Sequence, residues 1–215
     1  MRNLGKKKES RIKEILMSHI RNNIKEYAIV LILFLIGLIF GIVFVNNAQD
    51  SQIEEITSYF TEFVGNLKQD AKVDTQALLQ ESLLSNGLLA LILWFVGSTV
   101  IGIPIVYGII AYRGFCLGYT ISAVVASLGV GKGILFSLTS LLFQNMIIIP
   151  CILALAVSGM KLYQSIVKDK RRENIKIEIT RHTIICILLF VGLEIAALAE
   201  VYISTNLLQI CAKYF

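Results

Sequence analysis

The sequence is poor in charged residues, and this scarcity argues against an ordinary soluble domain. Asp, Glu, Lys and Arg together make up 16% of the 215 residues, whereas apolar residues make up 56%. Soluble domains typically carry about 25% charged residues. The composition therefore indicates a membrane protein. The formal net charge of +5 does not indicate nucleic-acid binding, because the basic residues fall in two clusters that membrane topology explains.

Patterns for metal, disulfide or nucleotide binding are missing. The four cysteines are far apart and form no CxxC pair, so they are predicted to be small buried thiols. The stretch GVGKG at 129–133 resembles a phosphate-binding loop. However, Ala126 and Gly133 occupy the positions that require glycine and Ser or Thr. We predict a flexible turn there and expect no cofactor.

Catalytic patterns are missing as well. There is no HExxH, and Tyr59 stands where a paired-glutamate protease motif beginning at Glu54 would need arginine. Ser158 and Gly159 lie at the end of an apolar run with no candidate base within reach by sequence. The sequence therefore predicts a protein that is not an enzyme.

Long apolar runs are what the sequence does contain. A helix needs about 20 apolar residues to cross the hydrocarbon core. The predicted fold is all-α, a polytopic bundle of about five transmembrane helices in a single membrane domain, 27–215. The predicted spans are 27–45, 87–112, 114–128, 133–157 and 183–203. Pro104 and Pro150 are expected to interrupt the second and fourth spans, and the short third span is either tilted or re-entrant.

The charges between the spans predict the orientation. Basic residues are concentrated in 1–26 and 158–182, with Arg113 at the predicted junction of spans two and three, whereas the segment 46–86 is acidic. Cytoplasmic loops of membrane proteins are enriched in Lys and Arg. We therefore expect a cytoplasmic N-terminus, an extracytoplasmic segment 46–86 and an extracytoplasmic C-terminus.

Two segments outside the predicted spans have apolar residues at helical spacing. The basic segment 1–26 is expected to form an amphipathic helix on anionic cytoplasmic lipid. In the acidic segment 46–86, Ile56, Phe60 and Phe63 belong to a second stripe. Its polar face is acidic, so this helix is expected either to fold back onto the bundle or to dock a partner.

Glycine pairs indicate close helix packing. Gly37 and Gly41 form a GxxxG pattern in span one, and Gly114 and Gly118 form another in span three. Small residues let helix backbones approach each other in a bilayer. Packing within the chain is the main expectation, and contact with another membrane protein or a second copy is the alternative.

Several polar residues fall inside the predicted spans. Gln144 and Asn145 precede Pro150 in span four, and Glu194 and Glu200 lie in span five. A charged acid at a helix centre costs about 2.5–3.5 kcal/mol on translocon scales. The two glutamates point about 120° apart on a helix and are not expected to share a site. Structural hydrogen bonding is one interpretation, and a transporter or channel that uses these acids is the other.

In order and spacing, several of these residues resemble the stage II sporulation protein M family, and the resemblance covers nearly the whole chain. The matching elements lie, in chain order, at the end of span one, within span two, at the start of span three, within span four and at the end of span five. They are Gly41 with Asn46, Ile101-Gly102-Ile103-Pro104, Gly114-x-x-x-Gly118-Tyr119, Gln144-Asn145 with Pro150, and Glu200-x-Tyr202-x-Ser204, after which Thr205 replaces the family's usual proline.

This resemblance implies a role in forespore engulfment. It implies a non-enzymatic scaffold in the mother-cell septal membrane that anchors peptidoglycan-degrading enzymes. The implied partners are stage II sporulation proteins D and P, a lytic transglycosylase and an amidase/endopeptidase, which act outside the membrane where the segment 46–86 is expected to lie.

Overall fold

The described part of the chain is built from helices. The computed structural model describes residues 20–68, 75–99, 101–168 and 172–204. The elements are α1 (Ile24–Asn46), α2 (Asp50–Lys68), α3 (Thr75–Gly97), α4 (Gly102–Leu128), α5 (Val130–Lys168), α6 (Arg172–Ala199) and a π-helical turn (Glu200–Ser204). No strand occurs within these ranges, so the all-α prediction is confirmed. The amphipathic segment predicted for 1–26 lies mostly outside the described residues, as does Thr205.

Five helices are long and apolar enough to cross a membrane. Their spanning segments are Ile24–Asn46, Thr75–Gly97, Gly102–Leu128, Gln144–Val167 and Ile175–Ile203. The predicted number of spans is therefore confirmed, and the chain is a multi-pass membrane protein.

The boundaries of the second and third spans differ from the prediction. The break lies at residues 98–101 rather than at Arg113, so 75–86 belongs to a span and Arg113 lies inside α4. The Ser98 hydroxyl donates to the Trp94 carbonyl (2.7 Å), and the Thr99 hydroxyl donates to the Val96 carbonyl (2.8 Å). These local bonds compete with helix continuation. The segment 114–128 is then the second half of a helix about 40 Å long, not a re-entrant segment.

Neither proline breaks a span. Pro104 is the third residue of α4, where the missing N–H costs no helical hydrogen bond because the N–H groups of the first turn have no acceptor within the helix. Helix α5 continues through Pro150. The expected interruption at Pro104 is therefore wrong, because the helix begins only two residues earlier.

Helices α1 and α4 run parallel and touch backbone to backbone. A Cβ added to Gly37 or Gly41 would overlap the carbonyl oxygen of Ala111 or Phe115 in α4. Conversely, a Cβ added to Gly114 or Gly118 would overlap the carbonyl oxygen of Phe34 or Leu38 in α1. The two GxxxG patterns therefore pack against each other within one chain, as expected from the sequence.

The remaining helices assemble around α5. Half of its spanning segment is buried, against a third or less in the other spans. Its Leu155 and Val157 join Ile110 of α4, Leu93 of α3 and Leu193 of α6 in one apolar core. We call the end of the bundle that contains the α3–α4 turn the Gly97 face. The opposite end, with the α4–α5 turn, is the Gly129 face, and its turn uses a positive φ of 79° at Gly129.

Helix α2 folds back onto the Gly129 face. The ring of Phe60 meets the ring of Phe136 in α5 edge to face, with centroids 5.2 Å apart. Val64 is buried against Val124 of α4. Phe63 on the same helix is 48% exposed. The residues of the stripe therefore have different roles. Phe60 packs against the bundle, whereas Phe63 stays on the surface.

The α1–α4 contact predicts opposite effects at two glycines of one helix. Gly118→Ala should lower the free energy of unfolding by roughly 1–3 kcal/mol, because the methyl group meets the Leu38 backbone. Gly108→Ala is the matched control, since no atom lies within 4 Å of its added Cβ. It should be neutral or stabilising by up to about 1 kcal/mol. Unfolding midpoints in micelles measure both, and equal values would contradict the crossing.

Candidate functional site: a polar cavity among α3, α4 and α5

A cavity of about 390 Å³ lies between α3, α4 and α5, with Phe34 of α1 in its wall. It brings together three residues predicted as site candidates, Glu200, Gln144 and Asn145. The structure adds six polar side chains that the sequence did not single out for this site. They are Glu81, Ser82, Ser85, Asn86, Arg113 and Thr120.

Arg113 is the cation of this cavity. It lies eleven residues from the start of α4 and fifteen from its end, about 16 Å and 22 Å along the helix. Within the described ranges, the side chain of Arg113 forms no hydrogen bond and no ion pair. A guanidinium stays charged in proteins and carries five donors. Its placement near the middle of an apolar helix is therefore costly unless the cavity supplies water or an anionic group.

Two carboxylates face the cavity from other elements. Glu200, at the start of the π-helical turn, accepts a hydrogen bond from the Ser82 hydroxyl (2.7 Å). Glu81 stands next to Ser82 in α3 and is exposed. Glu81 is six residues from the start of α3, and Glu200 directly follows the end of α6, so both acids lie near the helix ends that point toward the Gly129 face.

The amides complete the lining. The Asn86 amide donates to the Leu193 carbonyl (3.2 Å) and the Asn145 amide donates to the Leu141 carbonyl (2.9 Å). The side chain of Gln144 makes no hydrogen bond to any residue of the described ranges. Gln144 and Arg113 therefore present unused donors to the same volume.

Glu194 lies outside this cavity. Its carboxylate packs beside Gly87 of α3, and its Oε1 atom is buried without a hydrogen-bond partner in the described part of the chain. The prediction that Glu194 and Glu200 do not share a site agrees with this arrangement. Glu194 does not meet Gln144 or Asn145.

Other predicted candidates belong to the α1–α4 seam. Ser122 donates a hydrogen bond to Asn46 (3.4 Å), and Tyr119 packs against Phe44 with ring centroids 6.2 Å apart. Pro104 and Pro150 are exposed. Asn46 and Tyr119 therefore support helix packing, and none of these four candidates lines the cavity.

A buried serine–histidine pair near the Gly97 face was missed. The Ser158 hydroxyl lies 2.8 Å from Nδ1 of His182, so the expectation of no base near Ser158 is wrong. Residues 158 and 182 are equally far in sequence from the α5–α6 junction. Two antiparallel helices joined by a short turn place such residues side by side, so this spacing could have predicted the pair. The Nε2 atom lies 3.5 Å from the Trp94 carbonyl, and both side chains are at least 97% buried. The pair therefore ties α3, α5 and α6 together.

No cluster of three or more His, Cys, Asp or Glu residues suited to a metal ion occurs within the described ranges. The chemistry that the cavity offers is consequently that of one guanidinium, two carboxylates and several neutral donors and acceptors. This set suits binding of a polar or charged group.

Fold and site together define a helical multi-pass membrane protein with a polar cavity set into its bundle. Comparison with known families refines this class. The family model described as Stage II sporulation protein M matches residues 30–205, about four-fifths of the chain, and the chain belongs to this family. No curated protein and no solved structure matches the chain.

Proposed function

We propose that this protein is a non-enzymatic scaffold of the engulfment machinery. It anchors stage II sporulation proteins D and P, two peptidoglycan-degrading enzymes, in the mother-cell septal membrane. Membership of the family carries this proposal. The helical bundle supports it, because five packed spans with a helix held across one end make a rigid platform.

The charge distribution supports an orientation with the Gly97 face in the cytoplasm. The start of α1, which the basic segment 1–26 precedes and overlaps in sequence, lies at this face, as do the ends of α5 and α6 that the basic stretch Lys168, Lys170 and Arg171 joins in sequence. Helix α2 falls on the opposite side and carries Asp50, Glu54, Glu55 and Glu62. The positive-inside tendency therefore favours a cytoplasmic Gly97 face and an outer Gly129 face, even though Arg113 no longer contributes to the argument.

Helix α2 then presents its free surface to extracytoplasmic partners. Tyr59 is 66% exposed and Phe63 is 48% exposed, and exposed carboxylates flank them. Aromatic residues are enriched in protein interfaces. By contrast, the ring of Phe60 packs against Phe136, and Ile56 is only partly exposed. Phe63 therefore remains the strongest of the three predicted docking residues, and Tyr59 joins it.

The scaffold proposal predicts a separable docking defect. Tyr59→Ser combined with Phe63→Ser should lower recovery of the two hydrolases in a pull-down from membranes by about tenfold, as for loss of an aromatic hot spot. Ser58→Ala with Thr61→Ala, on the exposed side of the same helix, is the matched control. Undiminished recovery with the folded aromatic double variant would rule out this docking surface.

A small transporter or channel is the second candidate function, and the polar cavity favours it. Arg113, Glu81 and Glu200 place ionisable groups inside the bundle, where such groups frequently mark ion or substrate pathways. Glu194 does not belong to this hypothesis, because it lies outside the cavity.

This alternative predicts a proton flux in proteoliposomes that a pH-sensitive dye can follow. Glu200→Gln should reduce the flux to the level of protein-free vesicles, because the variant removes the cavity acid that is hydrogen-bonded to Ser82. Glu194→Gln is the matched control and should leave the flux unchanged. A wild-type protein that gives no flux above protein-free vesicles would eliminate the transport function.

A further inference from the structure

We propose that the groove between α3 and α6 docks a transmembrane helix of another protein, and that a basic residue of this helix pairs with Glu194. The groove has a volume of about 270 Å³ and is almost entirely apolar. Its lining includes Gly87, Ala90 and Trp94 of α3 and Thr183, Ile187 and Phe190 of α6. This surface lies within the spans, so the inference does not depend on the proposed docking at α2.

The unpaired carboxyl group of Glu194 is the first argument. Its Oε1 atom is buried without a hydrogen-bond partner within the described ranges, whereas Oε2 stays accessible and also has no partner there. The group lies at the end of the groove, because a Cβ added to Gly87 would be 3.7 Å from Oε1 and 3.5 Å from the Phe190 ring. An acid in a span is costly unless it meets a donor or an opposite charge. We therefore infer that a molecule in the groove supplies one to Oε2.

The dimensions of the groove are the second argument. At one end the Trp94 indole donates a hydrogen bond to the Thr183 hydroxyl (3.3 Å), and at the other end lies Glu194. Thr183 and Glu194 are eleven residues apart on α6, about 16 Å or three helical turns. Gly87 and Ala90 are small, and small residues let another helix approach closely in a bilayer. The groove therefore has the length of a short helix contact, with small residues next to the acid.

Charge complementarity is the third argument, and it identifies the occupant. A Lys or Arg can lay its apolar stem along Phe190 and bring its charged head to Glu194, where the ring adds a cation–π attraction. A second copy of this chain does not supply such a residue. Within the described ranges, Arg113 is the one cation near the middle of a span, and it lines the polar cavity. A lipid acyl chain has neither charge nor donor, so the occupant is a helix of a different protein.

The binding test uses the full-length, fluorescently labelled protein in phosphatidylcholine vesicles. The probe is a synthetic Leu-Ala helix of about 20 residues, long enough to span the bilayer, with one central Lys and an acceptor dye. A central Lys reaches the depth of Glu194, because the adjacent Gly87 lies twelve residues from the start of α3 and ten from its end. Energy transfer should show about tenfold tighter binding than for the same peptide with Leu or Glu in place of Lys.

Variants connect this preference to the groove. Glu194→Gln should abolish the preference for Lys, whereas Glu62→Gln, which removes an exposed acid of α2, should preserve it. Gly87→Leu should block binding, because its side chain enters the groove, and Gly108→Leu is the matched control with open space around its Cβ. Circular dichroism and gel filtration check that each variant is folded. If Gly87→Leu does not fold, Leu91→Trp replaces it, since Leu91 lines the groove and is 61% exposed.

Each remaining outcome overturns one step of the proposal. Equal binding of the Lys and Leu peptides by the wild-type protein would overturn the basic partner. A preference for Lys that persists in the folded Glu194→Gln variant would overturn the pairing with this acid. Binding that survives the folded groove variants would overturn the location. Energy transfer between two differently labelled copies of the protein that disappears in Glu194→Gln would assign this face to self-association and overturn the partner from another protein.

Discussion

The backbone contact between α1 and α4 determines how the rest of the bundle can be arranged. Four glycines leave no room for a side chain at the crossing, so the two helices can meet in only one register. That register places Phe34 beside Gly114, and Phe34 also forms part of the cavity wall. Since Arg113 immediately precedes Gly114, the crossing also fixes the depth of the guanidinium. Packing and the polar site therefore depend on the same few residues.

The membrane gives these polar residues their significance. Apolar side chains gain nothing by leaving lipid for a helix interface, so packing of small residues and hydrogen bonds must hold the spans together. The Ser158–His182 pair and the Asn86–Leu193 bond serve this purpose. The side chain of Arg113 does not, because it forms no hydrogen bond or ion pair within the described ranges. A charge of this kind in a span costs at least about 2.5 kcal/mol and is therefore best explained by a ligand or by water.

Sequence reasoning identified the helical class, the number of spans and the paired glycines, because each leaves a local pattern. It misplaced the break between spans two and three. Gly97, Ser98 and Thr99 are small and hardly lower the average hydropathy, whereas Arg113 lowers it strongly. The charged residue inside a span was therefore taken for a loop between two spans. The helix end depends on hydrogen bonds from Ser98 and Thr99 to the preceding turn, which an average over residues does not detect.

The candidate site was only partly predictable for a related reason. Glu200, Gln144 and Asn145 stood out as polar residues in apolar runs, but Glu81 and Ser82 seemed to lie in an extracytoplasmic segment. Their membership follows from the pairing of α3 with α6, in which Ser82 meets Glu200 across 118 residues of sequence. Such long-range contacts are set by packing of whole helices, and no local pattern records them.

Disulfide cross-linking tests the central claim, the parallel α1–α4 crossing, most directly. In a background without native cysteines, Asn46→Cys is paired either with Ser122→Cys or with Ser98→Cys and oxidised in native membranes. Because the side chains of Asn46 and Ser122 meet at 3.4 Å, the first pair should cross-link rapidly within one chain. The second pair, at opposite ends of the bundle, should not. Cross-linking of the second pair without the first would contradict the parallel crossing and the cavity that depends on it.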